Sequence, residues 1–521
     1  MGDSSPEPGS RRPFRIAVIG GGMAGLGAAR VLEDARAADP AIDWRLYEDE
    51  PRFGGKVHTV RRDGFVVEGG PDAAIIEKHW PITMARRLGI GDRFEDSNEG
   101  IRKSFVFTRG RLHELPEGII LMVPTRMVPF ALSSLMSWPG KVRMGMDLVL
   151  PRGGAARDAG GDGDESLGDF VRRRLGREAL ARIAEPIVAG IHAGDPEQMS
   201  VRATFPMFLE MERKHRSLIL AMLKRRKARQ KAAAGASARP RPEGGPRSYF
   251  YSFKGGLQEL SDAIVASLPP ERLHGGSAVQ MMAPCGAGCG TSGAYALQLA
   301  DGSRVVVDAV VLATPAWASG DLLRAIAPLP AADLSSIEYV STATASLAFR
   351  RDHVAHDLTG FGFVVPRAEN RPVMATTWSS SKFPGRAPEG HVLLRSFLGR
   401  AGIEAAAQLD DDEMTKVVRA ELREVMGIAA EPEFAQIFRW PRGMPQYRVG
   451  HVDLVDRIEA GVAGVPGIEL AGGAYHGIGI GDCLREGAAA ADRALEHVRG
   501  LPEDAVPPQP GDVPAADGVA D

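Results

Sequence analysis

Cysteine is nearly absent from this chain: three in 521 residues, Cys285, Cys289 and Cys483. That excludes a disulfide framework and suits a reducing compartment. Cys285 and Cys289 lie in a Gly-rich stretch with no two further ligands nearby, so the reading there is a loop and no metal site. Charge of one sign is lacking too: the net charge is −3, which argues against a nucleic-acid binder and against an acidic solvating protein. No run reaches the ~20 uninterrupted apolar residues of a membrane-spanning helix. Met1 to Arg12 is polar and Pro-rich where a secretory leader needs an apolar core, so a cytoplasmic location is expected. No Ser-His-Asp or paired-carboxylate constellation is present either. The length predicts two or three domains with ample core.

Glycine is what the chain has, in particular places. Phe14–Ile19 reads as a short buried parallel strand that runs into Gly20-Gly21-Gly22-Met23-Ala24-Gly25, a G-x-G-x-x-G loop. An Ala/Leu-rich helix, Leu26 to Ala35, follows, and a second strand, Asp43 to Tyr47, ends at Glu48 and Asp49. This is the dinucleotide-binding βαβ pattern. Gly20 permits the tight turn, Gly22 lets backbone approach a pyrophosphate, and Gly25 lets helix and strand pack closely. The pyrophosphate belongs on the helix N-terminus, where free N–H groups and the dipole favour anions. Glu48 lies slightly beyond the roughly 20-residue offset expected of the ribose-binding acid. Arg52-Phe53-Gly54-Gly55-Lys56 then brings a second glycine pair with flanking cations able to screen the pyrophosphate. That segment resembles the R-x-G-G-[RK] stretch of the flavin amine oxidase superfamily, which implies FAD and not NAD. Near the far end, Gly477 to Asp482 opens another Ala-rich helix, Cys483 to Val498, a second anion site. Facing a flavin pyrimidine, it would favour the charge of reduced flavin.

Between these landmarks, Phe65 to Glu68 reads as a strand and Gly69-Gly70-Pro71-Asp72 as a turn. Arg102 to Leu115 alternates in the strand manner. Glu117 to Trp138 is apolar but broken by prolines; it reads as core helices, or else as a surface that rests on a membrane or admits an apolar substrate. Asp164 to Ala184 is helical, Gly190 to Asp195 interrupts it, and Thr204 to Lys224 is a further helix. Residues 225–247 read as a flexible basic loop, Gly286 to Gly293 as a hairpin, and residues 322–452 as strands with two or three helices. Residues 1–12 and 501–521 read as disordered tails.

The chain from about 14 to 498 resembles the oxygen-dependent protoporphyrinogen/coproporphyrinogen III oxidases. The resemblance is carried by Gly20–Gly25, Arg52–Lys56, Glu68–Asp72, Leu112–Gly118, Glu185–Asp195, Lys214–Leu218, Gly360–Pro366, Thr377–Ser380, Met444–Tyr447 and the turn at Asp482-Cys483. It implies an α/β fold, α+β overall, of p-hydroxybenzoate-hydroxylase-like architecture. The Rossmann-like FAD domain would comprise 13–85, 248–320 and 455–500, the mixed-sheet substrate domain 86–115 and 321–454, and a helical, membrane-facing domain 116–224. The resemblance carries contacts to non-covalent FAD onto Gly20 through Gly25, Glu48, Asp49, Lys56, Gly70, Pro71, Asp72, Ala73, Val279, Gly473, Ile478, Gly479 and Ile480. Substrate contacts fall on Lys78, Gly190, Ile191, Phe361, Val364 and Phe397. Some relatives hold a substrate propionate with an arginine where this chain has Ser104; Lys78 is similar in position to a lysine of the bacillus-type members, with Arg102 and Lys103 weaker candidates.

The implied reaction removes six electrons and six protons from a porphyrinogen, each step a hydride transfer from a bridging carbon to flavin N5. Electrons then pass to O₂ to give H₂O₂ in heme biosynthesis. No catalytic side chain is required; the protein positions the ring and excludes water. His192 is either structural or a proton carrier. Lys78 and the Lys214–Leu218 segment point to coproporphyrinogen III, with protoporphyrinogen IX the alternative. An amine or polyene oxidase, or a porphyrin carrier without turnover, are the remaining readings. Implied partners are the porphyrinogen, O₂, a membrane surface touched peripherally and a ferrochelatase-type enzyme, with no nucleic acid.

Overall fold

Phe14–Ile19 (β1) is apolar except at Arg15, the composition of a strand covered on both faces, and five of its six side chains are buried. The computed structural model describes residues 13–120, 122–153, 163–235, 245–285 and 295–501. β1 pairs in parallel with Ile42–Tyr47 (β2) on one side and with Ala309–Leu312 on the other. Leu273–His274 and Ile468–Leu470 complete a parallel five-stranded sheet. The first helix (α1) spans Met23–Ala38, longer at both ends than the spacing predicts, because Gly22 already serves as its N-cap. It packs on the last helix, Ile480–Arg499, backbone against backbone. A Cβ on Gly487 would lie 1.9 Å from the Ala24 carbonyl oxygen, and one on Gly27 would lie 2.7 Å from that of Leu484.

The chain divides into two compact units: residues 1–55, 260–337 and 454–521 form the first, and residues 56–259 and 338–453 the second. The second is built on a seven-stranded mixed sheet. Its order is Phe434–Pro445, Tyr339–Arg350, His391–Leu398, Val373–Trp378, Gly362–Val364, Phe105–Thr108 and Arg111–Glu114. One face of this sheet is covered by Asp411–Met426, whose Met414, Val418 and Leu422 join Phe363, Val365 and Leu394 in a core. Asp410 caps that helix by accepting from the Glu413 N–H, and Gly427, at φ +71°, ends it. A separate helical core gathers Phe170, Ile183, Val188, Phe208 and Leu218.

Several expectations change. Gly190 does not lie in an interruption: Glu185–His192 is a helix, stopped only at Ala193, which takes φ +48°. The helix expected over Thr204 to Lys224 is three, Val201–Thr204, Pro206–His215 and Leu218–Gly235. Pro206 restarts the backbone and Arg216, at φ +64°, breaks it again. The basic tract 225–235 is therefore helical, not loop, because its Ala, Lys and Arg are strong helix formers. The stretch 117–138 forms a two-residue hairpin, Ile119–Ile120 with Val123–Pro124, and one short helix, Met127–Leu132. Met122, Val123 and Phe130 are core, but Met127, Val128 and Leu132 are exposed. Cys285 is disulfide-bonded, although three cysteines suit a reducing compartment, and Cys483 is a free thiol. The predicted hairpin at Gly286 to Gly293 and the tail up to residue 12 lie outside the described residues.

Candidate active site

In the first unit the Gly20–Gly25 loop is shaped by backbone contacts. Gly20 takes φ +103° and its N–H donates to the Tyr47 carbonyl. A Cβ on Gly25 would sit 1.8 Å from the Gly20 carbonyl oxygen, so that position accepts only glycine. Gly22 is different in kind: it has φ −71°, and nothing lies within 4 Å of where its Cβ would be. The helix it opens has no side-chain cap and no acid in its first turn. This is a bare helix N-terminus facing open space, and it fits a dinucleotide pyrophosphate.

The Glu48 carboxylate accepts from the Gly21 N–H at 2.5 Å and from the Glu50 N–H at 3.1 Å. Burial, reinforced by Asp49, pushes its pKa up to about 7. Two lone pairs remain at the end of β2 for ribose hydroxyls. Gly54 donates to the Gly21 carbonyl, so the second glycine pair lies directly against the first. Arg52 braces its own loop by donating to the carbonyls of Phe53 and Gly55. Ser277 donates to the Glu48 carbonyl, which brings Val279, two residues on, to the same strand end. At the C-terminal turn Gly479 caps the last helix. Asp482 is folded beneath the turn, its carboxylate oxygen 2.7 Å from where a Gly477 Cβ would stand. Gly473 and Ile478–Ile480 belong to this turn, which therefore already holds one carboxylate at its helix N-terminus.

In the second unit, register places Val364, Ala375 and Phe397 side by side across three strands. In-register side chains share a face. Val364 and Phe397 remain half-buried in strands whose other residues, His391 apart, are buried. The helix Glu185–His192 lies over them, and a Cβ on Gly190 would stand 3.9 Å from Val364 Cγ1. Gly190 is exposed, and Ile191 is 48% exposed. The result is an open apolar shelf of Gly190, Ile191, Val364 and Phe397. His192, T-shaped against Phe205, has its pKa lowered by burial to about 4, so its ring is uncharged at physiological pH. Phe361 is buried just before its strand, fixed by its N–H to the Lys103 carbonyl and by the Trp378 N–H to its own carbonyl.

Lys78 stands exposed at the N-cap of the helix His79–Arg87. Arg102 is paired with Glu99 and Lys103 with Glu114, both in exposed ion pairs. Lys56 is exposed, Pro71 and Ala73 are half-buried, and a Cβ on Gly70 would lie 1.8 Å from the Lys56 carbonyl oxygen. Burial pushes the Asp72 carboxyl up, but Lys382 at 2.8 Å and Arg395 outweigh it and hold the pKa below the usual range.

Sequence reasoning missed Arg395. It is buried in His391–Leu398, two residues before Phe397 on the same face. Its guanidinium lies over the Phe397 ring, 4.6 Å from the centroid, and donates to the carbonyls of Gly69 and Gly70. The signal was available: an arginine directly after the apolar run Val392-Leu393-Leu394.

Other segments that carried the resemblance prove structural. Arg174 and Asp147, both fully buried, pair with each other. Ser217 Oγ donates to Asp147 at 2.6 Å, and the Arg216 carbonyl accepts from Arg174. Lys214–Leu218 thus belongs to a buried knot. Glu185 holds Arg400 and the Arg367 N–H, and Gln446 donates to the His192 carbonyl. A cavity of about 190 Å³ beside Asp195, lined by Tyr339, Arg367, Gln446 and Arg448, contains none of the shelf residues. It is smaller than the ~300 Å³ usual for ligand pockets.

A parallel sheet with a bare glycine-capped helix, joined in one chain to an apolar shelf, defines a flavin-dependent oxidoreductase. The chain belongs to the flavin containing amine oxidoreductase family, which it matches over residues 23–495, and its cofactor is FAD. It is 34% identical to the coproporphyrinogen III oxidase of Bacillus subtilis, over 93% of this chain and 98% of that one. It is 29% identical to the chloroplastic protoporphyrinogen oxidase 1 of Spinacia oleracea, over 90% and 82%. A crystal structure from Exiguobacterium sp. 255-15 matches with a TM-score of 0.79 at 30% identity, over 94% of this chain and 100% of that chain. Among the described residues no helix is long and apolar enough to cross a membrane, and no group of side chains is placed to hold a metal ion.

Proposed function

We propose that this protein oxidises coproporphyrinogen III to coproporphyrin III in heme biosynthesis, with O₂ as acceptor and H₂O₂ as product. The observation that carries the reading is the shelf of Gly190, Val364 and Phe397, apolar and only partly covered. Exposed glycine on the covering helix lets a tetrapyrrole macrocycle approach backbone, and Phe397 offers a ring face to a pyrrole. When bound, the flavin supplies the two-electron chemistry.

The chain's own residues hold, orient and exclude water. Gly22 and the α1 N-terminus take the pyrophosphate, and Glu48 the ribose. Asp49, Val279, Gly473 and Ile478–Ile480 are assigned further cofactor contacts in the first unit; Lys56 and Gly70–Ala73 are assigned them in the second. Lys78 anchors a propionate. His192, neutral and packed on Phe205, takes the structural role at the end of the covering helix.

The 34% identity to the bacterial coproporphyrinogen III oxidase supports the tetra-propionate substrate over the divinyl one. The test is kcat/KM for coproporphyrinogen III and protoporphyrinogen IX in one buffer. A tenfold preference for protoporphyrinogen, about 1.4 kcal/mol in transition-state binding, overturns the substrate assignment. A flavin that stays oxidised under anaerobic mixing with either substrate overturns the enzymatic reading altogether.

The same reading includes a peripheral membrane contact, because eight exposed large apolar side chains fall between Met127 and Val149. Within residues 126–153 the only carboxylate is Asp147, which is buried, against four cations. Apolar surface with surplus positive charge suits an anionic lipid surface. Direct handover of product to a ferrochelatase-type enzyme completes the proposal.

A further inference from the structure

The carbonyl oxygen of Gly69 accepts from three side chains on three different strands. Arg395 Nη2 lies at 3.1 Å, Thr344 Oγ1 at 3.0 Å and Trp440 Nε1 at 3.0 Å. A peptide carbonyl has two lone pairs, so three donors, one of them a buried cation, are more than satisfaction requires. The other end of the same peptide plane is the Gly70 N–H, which donates to no acceptor among the described residues. Hydrogen bonds in series strengthen one another, most of all where water is scarce. Pulling electron density towards the Gly69 oxygen makes the Gly70 N–H a stronger donor. Glycine is required on both sides of the plane: a Cβ on Gly69 would meet the Phe438 ring at 2.6 Å, and one on Gly70 the Lys56 carbonyl oxygen at 1.8 Å.

We propose that the Gly69–Gly70 peptide is a polarised backbone donor, with Thr344, Arg395 and Trp440 as its positioning residues, and that its Gly70 N–H serves a ligand acceptor bearing negative charge. The inference rests on the reading above, which supplies two sources of that acceptor, the reduced flavin and a substrate propionate. Backbone donors aimed at developing charge need no reorganisation when the charge appears, which is how such peptides act in catalysis.

Thr344→Val and Trp440→Phe each remove one of the three donors and leave the carbonyl with two, so the fold survives; Arg395→Lys is the third variant and keeps the buried charge. Three quantities are read on purified holoenzyme: flavin content, the midpoint potential of the bound flavin, and the dissociation constant of the product porphyrin by fluorescence. If the flavin is the acceptor, each variant lowers the affinity for reduced relative to oxidised flavin by roughly three- to tenfold, the size of one hydrogen bond. A tenfold change is about 30 mV for a two-electron couple. If the acceptor is a propionate, the porphyrin dissociation constant rises by the same factor and the potential stays put. Variants that keep flavin, potential and porphyrin affinity at wild-type values overturn the proposal. The broader functional reading fails separately, if the wild-type protein binds no flavin or oxidises no porphyrinogen.

Discussion

The Arg395 guanidinium lies over the Phe397 ring at 4.6 Å while donating to the Gly69 and Gly70 carbonyls. One buried cation therefore ties the apolar shelf to the glycine turn in the same unit. Desolvation lowers the Arg395 pKa, and the charges of Asp72 and Glu68 oppose that. A charge held in such a place organises neighbouring backbone, and loss of it would be felt at both attachment points.

The cofactor prediction uses Gly22. Because φ is −71° and no atom lies within 4 Å of its missing Cβ, Gly22→Val should fold with an unchanged melting temperature once both proteins are stripped of flavin. The added side chain takes the space of the pyrophosphate, so flavin absorbance per chain should fall at least roughly tenfold. Full flavin occupancy in that variant would show that Gly22 does not face the cofactor.

Lys78→Met should raise KM for the porphyrinogen with flavin content unaltered. A charge-assisted hydrogen bond to a propionate is worth about 1.5–3 kcal/mol, hence a factor of roughly ten to a hundred. An unchanged KM would move the propionate contact to Arg102 or Lys103, whose exposed pairs with Glu99 and Glu114 are too weak to withhold them.

His192 gives a pH prediction whose sign follows from burial. Its folded pKa, about 4, lies below the unfolded value near 6.5. Between those values the unfolded chain binds more protons, so stability rises with pH from 4 to 6.5 and is lost as the solution is acidified through that window. At ~1.4 kcal/mol per pKa unit the full effect is about 3.5 kcal/mol, and on the order of 2–3 kcal/mol of it falls between pH 4.5 and 7. His192→Phe should flatten this acid limb in denaturant titrations at pH 4.5 and 7. The kcat profile above pH 6 should show no step from this histidine; a step that disappears in the variant would restore it as a proton carrier.

Asp147→Ala should be among the most destabilising single changes. It removes one of the two carboxylates paired with buried Arg174, leaving Glu212 at 3.4 Å, and it removes the acceptor of Ser217 Oγ and of the Ile219 N–H. Breaking a buried pair from one side costs about 3–5 kcal/mol. The check is the urea midpoint; a shift below roughly 1 kcal/mol would mean that the knot holds little of the helical core together.

Vesicles rich in anionic lipid should bind the wild-type protein. Trp138→Glu with Val142→Glu, at positions 66% and 65% exposed, should abolish binding while leaving flavin content and turnover in detergent-free buffer unaltered. Absence of wild-type binding to such vesicles would remove the membrane contact.

Local chemistry was legible in the sequence because it is written in contiguous residues. The Gly20–Gly25 loop, β1, β2 and Glu48 sit next to one another in the chain, and the turn geometry follows from glycine's freedom at Gly20 and its lack of a Cβ at Gly25. The helix ends at Asp410 and Gly427 obey equally local rules, though the sequence reading did not place them. What only the tertiary structure decided is who meets across long separations. Gly27 and Gly487 are glycine because two helices nearly 460 positions apart in sequence pack backbone to backbone. The apolar run after Glu117 divides into core and exposed surface according to which side chains find partners, and no periodicity marks that division. Three donors from three strands converge on the Gly69 carbonyl through sheet register, which pairs residues hundreds of positions away from it. Sequence spacing sets turns and caps by steric rules that act over a few bonds; register and packing are settled by the whole folded chain, where burial and hydrogen-bond satisfaction are shared among distant segments.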